Sequence, residues 1–248
     1  DQSNMDSGAS YVNAGYLSPS HIVPLSAPGV MRKGLKWMFN PASPLYIKPR
    51  MDADFLKWIL AFNKSCTAKH VSKAIPAIKN ITLLSQELYD AIKKDEAFTF
   101  HYEKKGLLML CKTDKMLETE IKTAELAKAE GLDAREVSLE ELKQLEPDVQ
   151  LKVKGSTYYA CDAHTTPHEF MEEMKTYLKA VGVQFQYNEK VEDLQMQSGA
   201  ITNIITNKQS YKADEFVLAA GSWSSLLSKK LGIKLLLQAG KGYRINTT

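Results

Sequence analysis

The sequence predicts a mixed α/β (α+β) fold in two parts, a helix-rich part over residues 31–154 set into a strand-dominated part made of residues 1–30 and 155–248. Three observations carry this. Apolar residues recur every three or four positions through much of 52–145, as helices require. Beyond 155 they switch to short alternating and β-branched runs bounded by turn residues. A strand–glycine–helix junction, Glu215 to Trp223, then closes the second part. A chain of 248 residues with 44% hydrophobic and 25% charged residues is long enough and apolar enough to bury a full core.

Residues 1–30, rich in Ser, Gly, Asn and Pro, read as an irregular loop. Met31 to Asn40 forms a short helix that Pro41 and Pro44 stop. From Asp52 to Cys66 the pattern is helical, with Phe55, Trp58, Ile59 and Phe62 on one face. The strongest helix follows, where Val71, Ile75, Ile78, Ile81, Leu84, Leu88 and Ile92 make an apolar stripe. Phe98, Phe100 and Tyr102 alternate, Glu103 to Gly106 turns, and Leu107 to Leu110 returns as a β-hairpin. Met116 to Ala129 is an amphipathic helix closed by Gly131, and a shorter helix, Leu139 to Leu145, ends at Pro147.

Gly155 to Cys161 reads as a strand. Thr166, Pro167 and Glu169 give the next helix an N-cap, a first residue and a capping box, and it ends near Gly182. Val183 to Tyr187 is a strand. Val191 to Met196, Ile201 to Thr206 and Ser210 to Ala213 form an antiparallel meander that turns at Ser198-Gly199. Glu215 to Ala220 is a buried strand, Ser222 to Leu231 a helix, and a last strand runs toward Lys241-Gly242-Tyr243-Arg244.

Cys66, Cys111 and Cys161 are far apart, which excludes a disulfide framework and fits a reducing, cytoplasmic compartment. No apolar run approaches the roughly 20 residues of a membrane span, and no secretory pattern opens the chain. Net charge is only +3, but residues 31–80 hold ten Lys/Arg against two Asp, a local net of +8. With Trp37, Phe39, Tyr46, Trp58 and Phe62 among them, this stretch suits an anionic membrane surface as well as an ordinary solvated face. No nucleic-acid motif accompanies the charge.

At the junction, Gly221 lets backbone approach a ligand, and the amides of Ser222 and Trp223 open a helix toward negative charge. The same residues also suit a plain strand–helix turn. Gly8-Ala9-Ser10 supplies N–H groups and a hydroxyl, as a pyrophosphate needs, Asn13 can donate and accept, and Gly15 removes a side chain. A solvated loop has the same composition. His164 and His168 stand four apart, yet Pro167 and the Thr166 cap leave His164 outside the helix, so no metal site is expected. Cys161 reads as a small buried residue, and Tyr158 and Tyr159 as one pocket and one core tyrosine.

Taken in order, Asp1-Gln2, Gly8-Ala9-Ser10, Asn13-Ala14-Gly15, Ser18-Pro19, Ala27-Pro28-Gly29, Gly34 to Met38, Pro44-Leu45, Gly106 to Leu108, Leu145 to Pro147, Gly182 to Phe185, Ala219 to Trp223 and Lys241 to Tyr243 carry a resemblance along the whole chain. The chain resembles the FAD-dependent amino-acid oxidoreductases, the group of glycine oxidase and sarcosine oxidase, most of all the D-amino-acid dehydrogenase branch. The resemblance implies a partial FAD-binding domain with its β-meander in 1–30 and 155–248, some of whose strands are shared with the substrate domain, and a helix-rich substrate-binding domain containing an antiparallel sheet in 31–154. It implies that Asp1 binds the adenosine ribose, with Gln2 beside it, and that Ser10, with Gly8 and Ala9, binds the pyrophosphate. Asn13, Ala14 and Gly15 lie by the flavin, Val191 pairs its backbone with adenine, and Ala219, Ala220, Gly221 and Trp223 pass close to the dinucleotide. His164 and Tyr243 face the substrate.

The G-x-G-x-x-G turn of such enzymes is expected upstream of Asp1, and their substrate-anchoring Arg beyond Thr248, so the 248 residues read as a fragment. The implied activity is oxidative deamination of D-amino acids by hydride transfer to FAD, with no acid–base residue identified. A glycine- or sarcosine-type amine oxidase, or a non-catalytic interaction module, is the alternative. Expected partners are a small amino acid, a membrane quinone as electron acceptor and, through residues 31–80, the inner face of the membrane. Oligomeric state is left open.

Overall fold

The computed structural model describes residues 1–38, 50 and 52–243. In chain order the first elements are α1 (Ala9–Val12), β1 (Tyr16–Leu17), α2 (Val30–Met38), α3 (Ala53–Ser65) and α4 (Ala68–Lys93). Then come β2 (Tyr102–Glu103), β3 (Leu107–Cys111), α5 (Asp114–Ala129), β4 (Ala134–Val137), α6 (Leu139–Leu145), β5 (Gly155–Tyr159), β6 (Ala163–Thr165) and α7 (Pro167–Ala180). The meander β7 (Val191–Gln197), β8 (Ala200–Thr206) and β9 (Ser210–Lys212) precedes α8 (Ser224–Lys230). The fold is mixed α/β, and among the described residues three sheets form, all antiparallel.

Two compact units divide the chain: Asn13–Ala27 with Ala68–Tyr177, and Asp1–Val12 with Pro28–Thr67 and Leu178–Thr248. These limits differ from the expected parts, because residues 155–177 pack with the helix-rich segment and residues 28–67 cluster with the meander. The loop Gly8 to Gly15 is shared out between both units.

The first-named unit is built on the sheet β3-β5-β4, with β5 central and α5 packed against it. Thr113 starts α5 by accepting from the Met116 N–H, and Ala124 and Ala127 press its small face into a core of Ile22, Ile75, Leu132, Ala134 and Tyr159. A second sheet, β1-β6-β2, buries Leu17, Ala163 and Thr165 and leaves Tyr16 and His164 exposed. Beside it Phe98 and Phe100 are buried against Phe170, Tyr89 and Tyr177.

Three expectations fail here for identifiable reasons. The hairpin does not form: β2 pairs with β6, while β3 pairs with β5 in the other sheet. The Gly106 N–H donates to the Asp162 carbonyl (3.1 Å), which diverts the chain between the two strands. The capping box of α7 is also replaced, since Thr166 N–H donates to the His101 carbonyl and the Glu169 carboxylate accepts from the His101 N–H (2.8 Å). On α4 the packed face is not the whole apolar stripe. Ile75 and Gln86 are buried, while Ile81, Leu84 and Leu88 are 66%, 51% and 54% exposed. Positions 75 and 86 lie three turns apart on one line. Gln86 stays inside because its Nε2 donates to the Cys161 carbonyl (2.8 Å).

The other unit holds α3, the meander and α8. Asp52 caps α3 by accepting from Phe55 N–H (2.8 Å). Val183 to Tyr187, Glu215 to Ala220 and the segment after Gly232 do not form strands. Val217 is 89% exposed, so the expected buried strand is corrected to an exposed segment. A parallel strand exists only through lateral partners, and among the described residues none pairs with these segments. Phe39, Asn40, Pro41, Pro44, Tyr46 and Arg244 lie outside the described residues.

Candidate functional site

The expected cofactor residues fall into local groups, each set by nearby backbone bonds. In the meander-bearing unit, the Asp1 nitrogen donates to the Gln186 carbonyl (2.6 Å), Glu189 N–H to the Asp1 carbonyl (2.8 Å) and Asn188 N–H to the Ser3 carbonyl (3.1 Å). Asp1 is thereby laced to the segment that leads into Val191, the first residue of β7. Its Oδ1 accepts from both the N–H and the hydroxyl of Ser3 (2.8 Å each), which orients the carboxylate, and Gln2 is exposed beside it.

Between Asp1 and Val191 sits a carboxylate that sequence reasoning missed. Glu189 is 4% exposed, and its Oε1 accepts from Thr206 Oγ1 (2.6 Å) and Tyr211 Oη (2.8 Å). The Thr206 bond, then the Tyr211 bond and the charge of Lys208, hold Glu189 below the usual carboxylate range. Its partners lie 17 and 22 positions away, so no local pattern marks it.

Gly8 has φ +99°, and its carbonyl accepts from Tyr11 N–H and Val12 N–H (3.1 Å each), which starts α1 with Ala9 and Ser10 in its first turn. Tyr11 is buried and anchors that turn. In the other unit, Asn13 Oδ1 accepts from Gly15 N–H (2.8 Å) across Ala14, and the Gly15 carbonyl accepts from Thr165 N–H (2.9 Å). His164 follows on β6, edge-on to Tyr16 at 5.9 Å, with Glu103 as its register neighbour on β2. Ala219 and Ala220 lead into a 3-10 turn, Gly221–Trp223, with Trp223 59% exposed. Tyr243 is 85% exposed, with Lys241 Nζ over its ring at 5.0 Å. Burial, followed by the Asp162 charge, pushes the Cys161 thiol up to about 12, which keeps it from acting as a thiolate nucleophile.

A family model described as FAD dependent oxidoreductase (DAO) matches residues 1–248. The chain belongs to that family. Among its relatives, a D-amino acid dehydrogenase of Helicobacter pylori is 33% identical over 238 residues, 96% of this chain and 57% of the relative. A D-amino acid dehydrogenase of Chromohalobacter salexigens is 30% identical over 240 residues, 95% of this chain and 57% of the relative. The chain therefore spans somewhat over half the length of these relatives. In fold it is similar to glycine oxidase from Geobacillus kaustophilus, with a TM-score of 0.63 at 16% identity over 95% of this chain and 51% of that one.

FAD carries an adenosine, a pyrophosphate and a flavin, and residues of this chain fit the adenosine end in chemistry. A carboxylate oriented at Asp1 can accept from ribose hydroxyls, and the start of an outer strand at Val191 offers backbone to a base. Around Gly8 and Gly221 a Cβ would meet nothing within 4 Å, so backbone there is open to a ligand.

Proposed function

We propose that the protein containing this chain is an FAD-dependent dehydrogenase that oxidatively deaminates D-amino acids. The likeness to D-amino acid dehydrogenases along 96% of the chain carries this reading. Bound FAD would supply the acceptor for the hydride that leaves the substrate α-carbon. This chain's residues would do the holding. Asp1, with Gln2 beside it, takes the ribose, Ser10 with Gly8 and Ala9 the pyrophosphate, and Val191 the adenine. Asn13, Ala14 and Gly15 lie by the flavin, while Ala219, Ala220, Gly221 and Trp223 line the dinucleotide. His164 and Tyr243 orient the amino acid, whose imino product hydrolyses to a keto acid and ammonia. In this assignment residues 1–30 and 155–248 serve mainly the cofactor, with some strands shared with the substrate domain, and 31–154 the substrate.

The full-length protein is expected to be yellow and to bleach under anaerobic D-alanine, followed by absorbance near the flavin band. A colourless full-length protein ends the enzyme reading. The isolated 248 residues are expected to bind FAD weakly, and stoichiometric FAD retained by them overturns that expectation.

We further propose that residues 31–80 seat the enzyme on the cytoplasmic face of the membrane, where a quinone takes the electrons. Supporting this, α3 exposes Leu56 and Leu60 beside Lys57 and Lys64, an apolar and basic surface suited to anionic headgroups. No helix among the described residues is long and apolar enough to cross a membrane. Co-sedimentation with phosphatidylglycerol vesicles is expected, and it should weaken with salt and in Leu60→Glu/Lys64→Glu. Equal recovery with and without vesicles rules the docking out.

A further inference from the structure

Glu189 stands out because its chemistry and its place are unexplained by the residues proposed to hold FAD. A carboxylate 4% exposed is costly to bury and persists only where donors satisfy it. Its donors come from two other pieces of the meander. Thr206 ends β8 and Tyr211 lies on β9, and both hydroxyls converge on the same Oε1. Gln209 Nε2 donates in turn to Tyr211 Oη (2.6 Å), which fixes the phenol that Glu189 depends on. On its backbone side, Glu189 N–H holds the Asp1 carbonyl, and Val191 follows two residues later. One residue thus joins the Asp1–Ser3 segment through its backbone to Thr206 and Tyr211 through its side chain.

We propose that Glu189 is a positioning residue for the adenosine half of FAD. It sets the spacing between the Asp1 carboxylate and the Val191 backbone without touching the dinucleotide. The inference rests on the reading of Asp1 and Val191 as the ribose and adenine contacts. Without the carboxylate, Thr206 and Tyr211 lose their common acceptor, and the root of β7 is left held to the turn only by the Lys190–Asn207 bonds and the β7–β8 pairing. The adenosine contacts then loosen, while the flavin end and the amino-acid pocket keep their own supports.

The test uses the full-length protein and two probes, FAD itself and ADP, which carries the adenosine without a flavin. Glu189→Ala is expected to raise the Kd of both by about tenfold, from the loss of two bonds to a charged acceptor. The KM for D-alanine at saturating FAD should stay at the wild-type value. Glu189→Gln keeps an Oε1 that can accept both hydroxyls, and it should restore both Kd values to within about twofold. Should the alanine variant fail to fold, Tyr211→Phe is read instead, with an expected rise of about threefold in the ADP Kd. Wild-type ADP affinity in Glu189→Ala or, for that fallback, in Tyr211→Phe overturns the inference, including the case where only the melting temperature falls. A wild-type protein that binds no FAD overturns the functional reading instead, so the two failures are distinguishable.

Discussion

Gly15→Ala is expected to destabilise the protein by more than about 3 kcal/mol, the sum of an unfavourable backbone conformation and a collision. Gly15 has φ +77°, where a residue with a Cβ pays about 1–2 kcal/mol. The added Cβ would also run into the Thr165 carbonyl oxygen and approach Pro167 Cδ to 3.2 Å. That oxygen cannot withdraw easily, because Gly15 carbonyl and Thr165 N–H are bonded at 2.9 Å where β1 meets β6, and Pro167 begins α7. Gly131 supplies the control. It has φ +84° with nothing within 4 Å of a Cβ, so Gly131→Ala should cost only the backbone share, about 1–2 kcal/mol. Urea unfolding of both variants measures the difference. Equal losses would mean that Thr165 does not crowd Gly15.

What could be read from the sequence follows how local the determining contacts are. The start of α3 was legible because Asp52 heads the helical pattern and caps an amide three positions along. Thr113 and Ser138 cap α5 and α6 in the same way without having been read as caps, and α5 begins two residues before the expected Met116. The meander was legible for a similar reason, since Ser198 (φ +52°) and Gly199 (φ +82°) turn β7 directly onto β8. Apolar runs whose partners are distant were misread. Val183 to Tyr187 and Glu215 to Ala220 have strand composition, but composition supplies no lateral hydrogen bonds. The α4 stripe was over-read because Gln86 and Lys79 are stabilised by partners on other elements, Cys161 and Glu130. At the candidate site the glycines were visible as glycines. Glu189 was not visible, because its meaning comes from Thr206 and Tyr211 folding back onto it.

Tyr159→Ala should be as damaging as the Gly15 substitution, and Tyr159→Phe should separate the two reasons. Tyr159 is 1% exposed at the centre of the core, against Ala124, Ala127 and Leu132, and its Oη donates to Glu120 Oε1 (2.6 Å). Truncation leaves a cavity costing about 3–5 kcal/mol and strands the Glu120 carboxylate. Phe keeps the ring and loses only the hydrogen bond, at about 1–2 kcal/mol. The phenol also makes stability depend on pH. Burial, then the bond to Glu120 and its charge, raise the Tyr159 pKa well above its ordinary 10.0. A folded-state pKa above the unfolded value means that the contribution is complete below pH about 10 and is lost as pH rises further. Unfolding free energy measured from pH 8 to 11 should therefore fall more steeply in wild type than in Tyr159→Phe. Parallel curves would show that Tyr159 ionises in the folded protein as freely as in the unfolded chain. The Glu120 bond would then contribute nothing to holding α5 against β5.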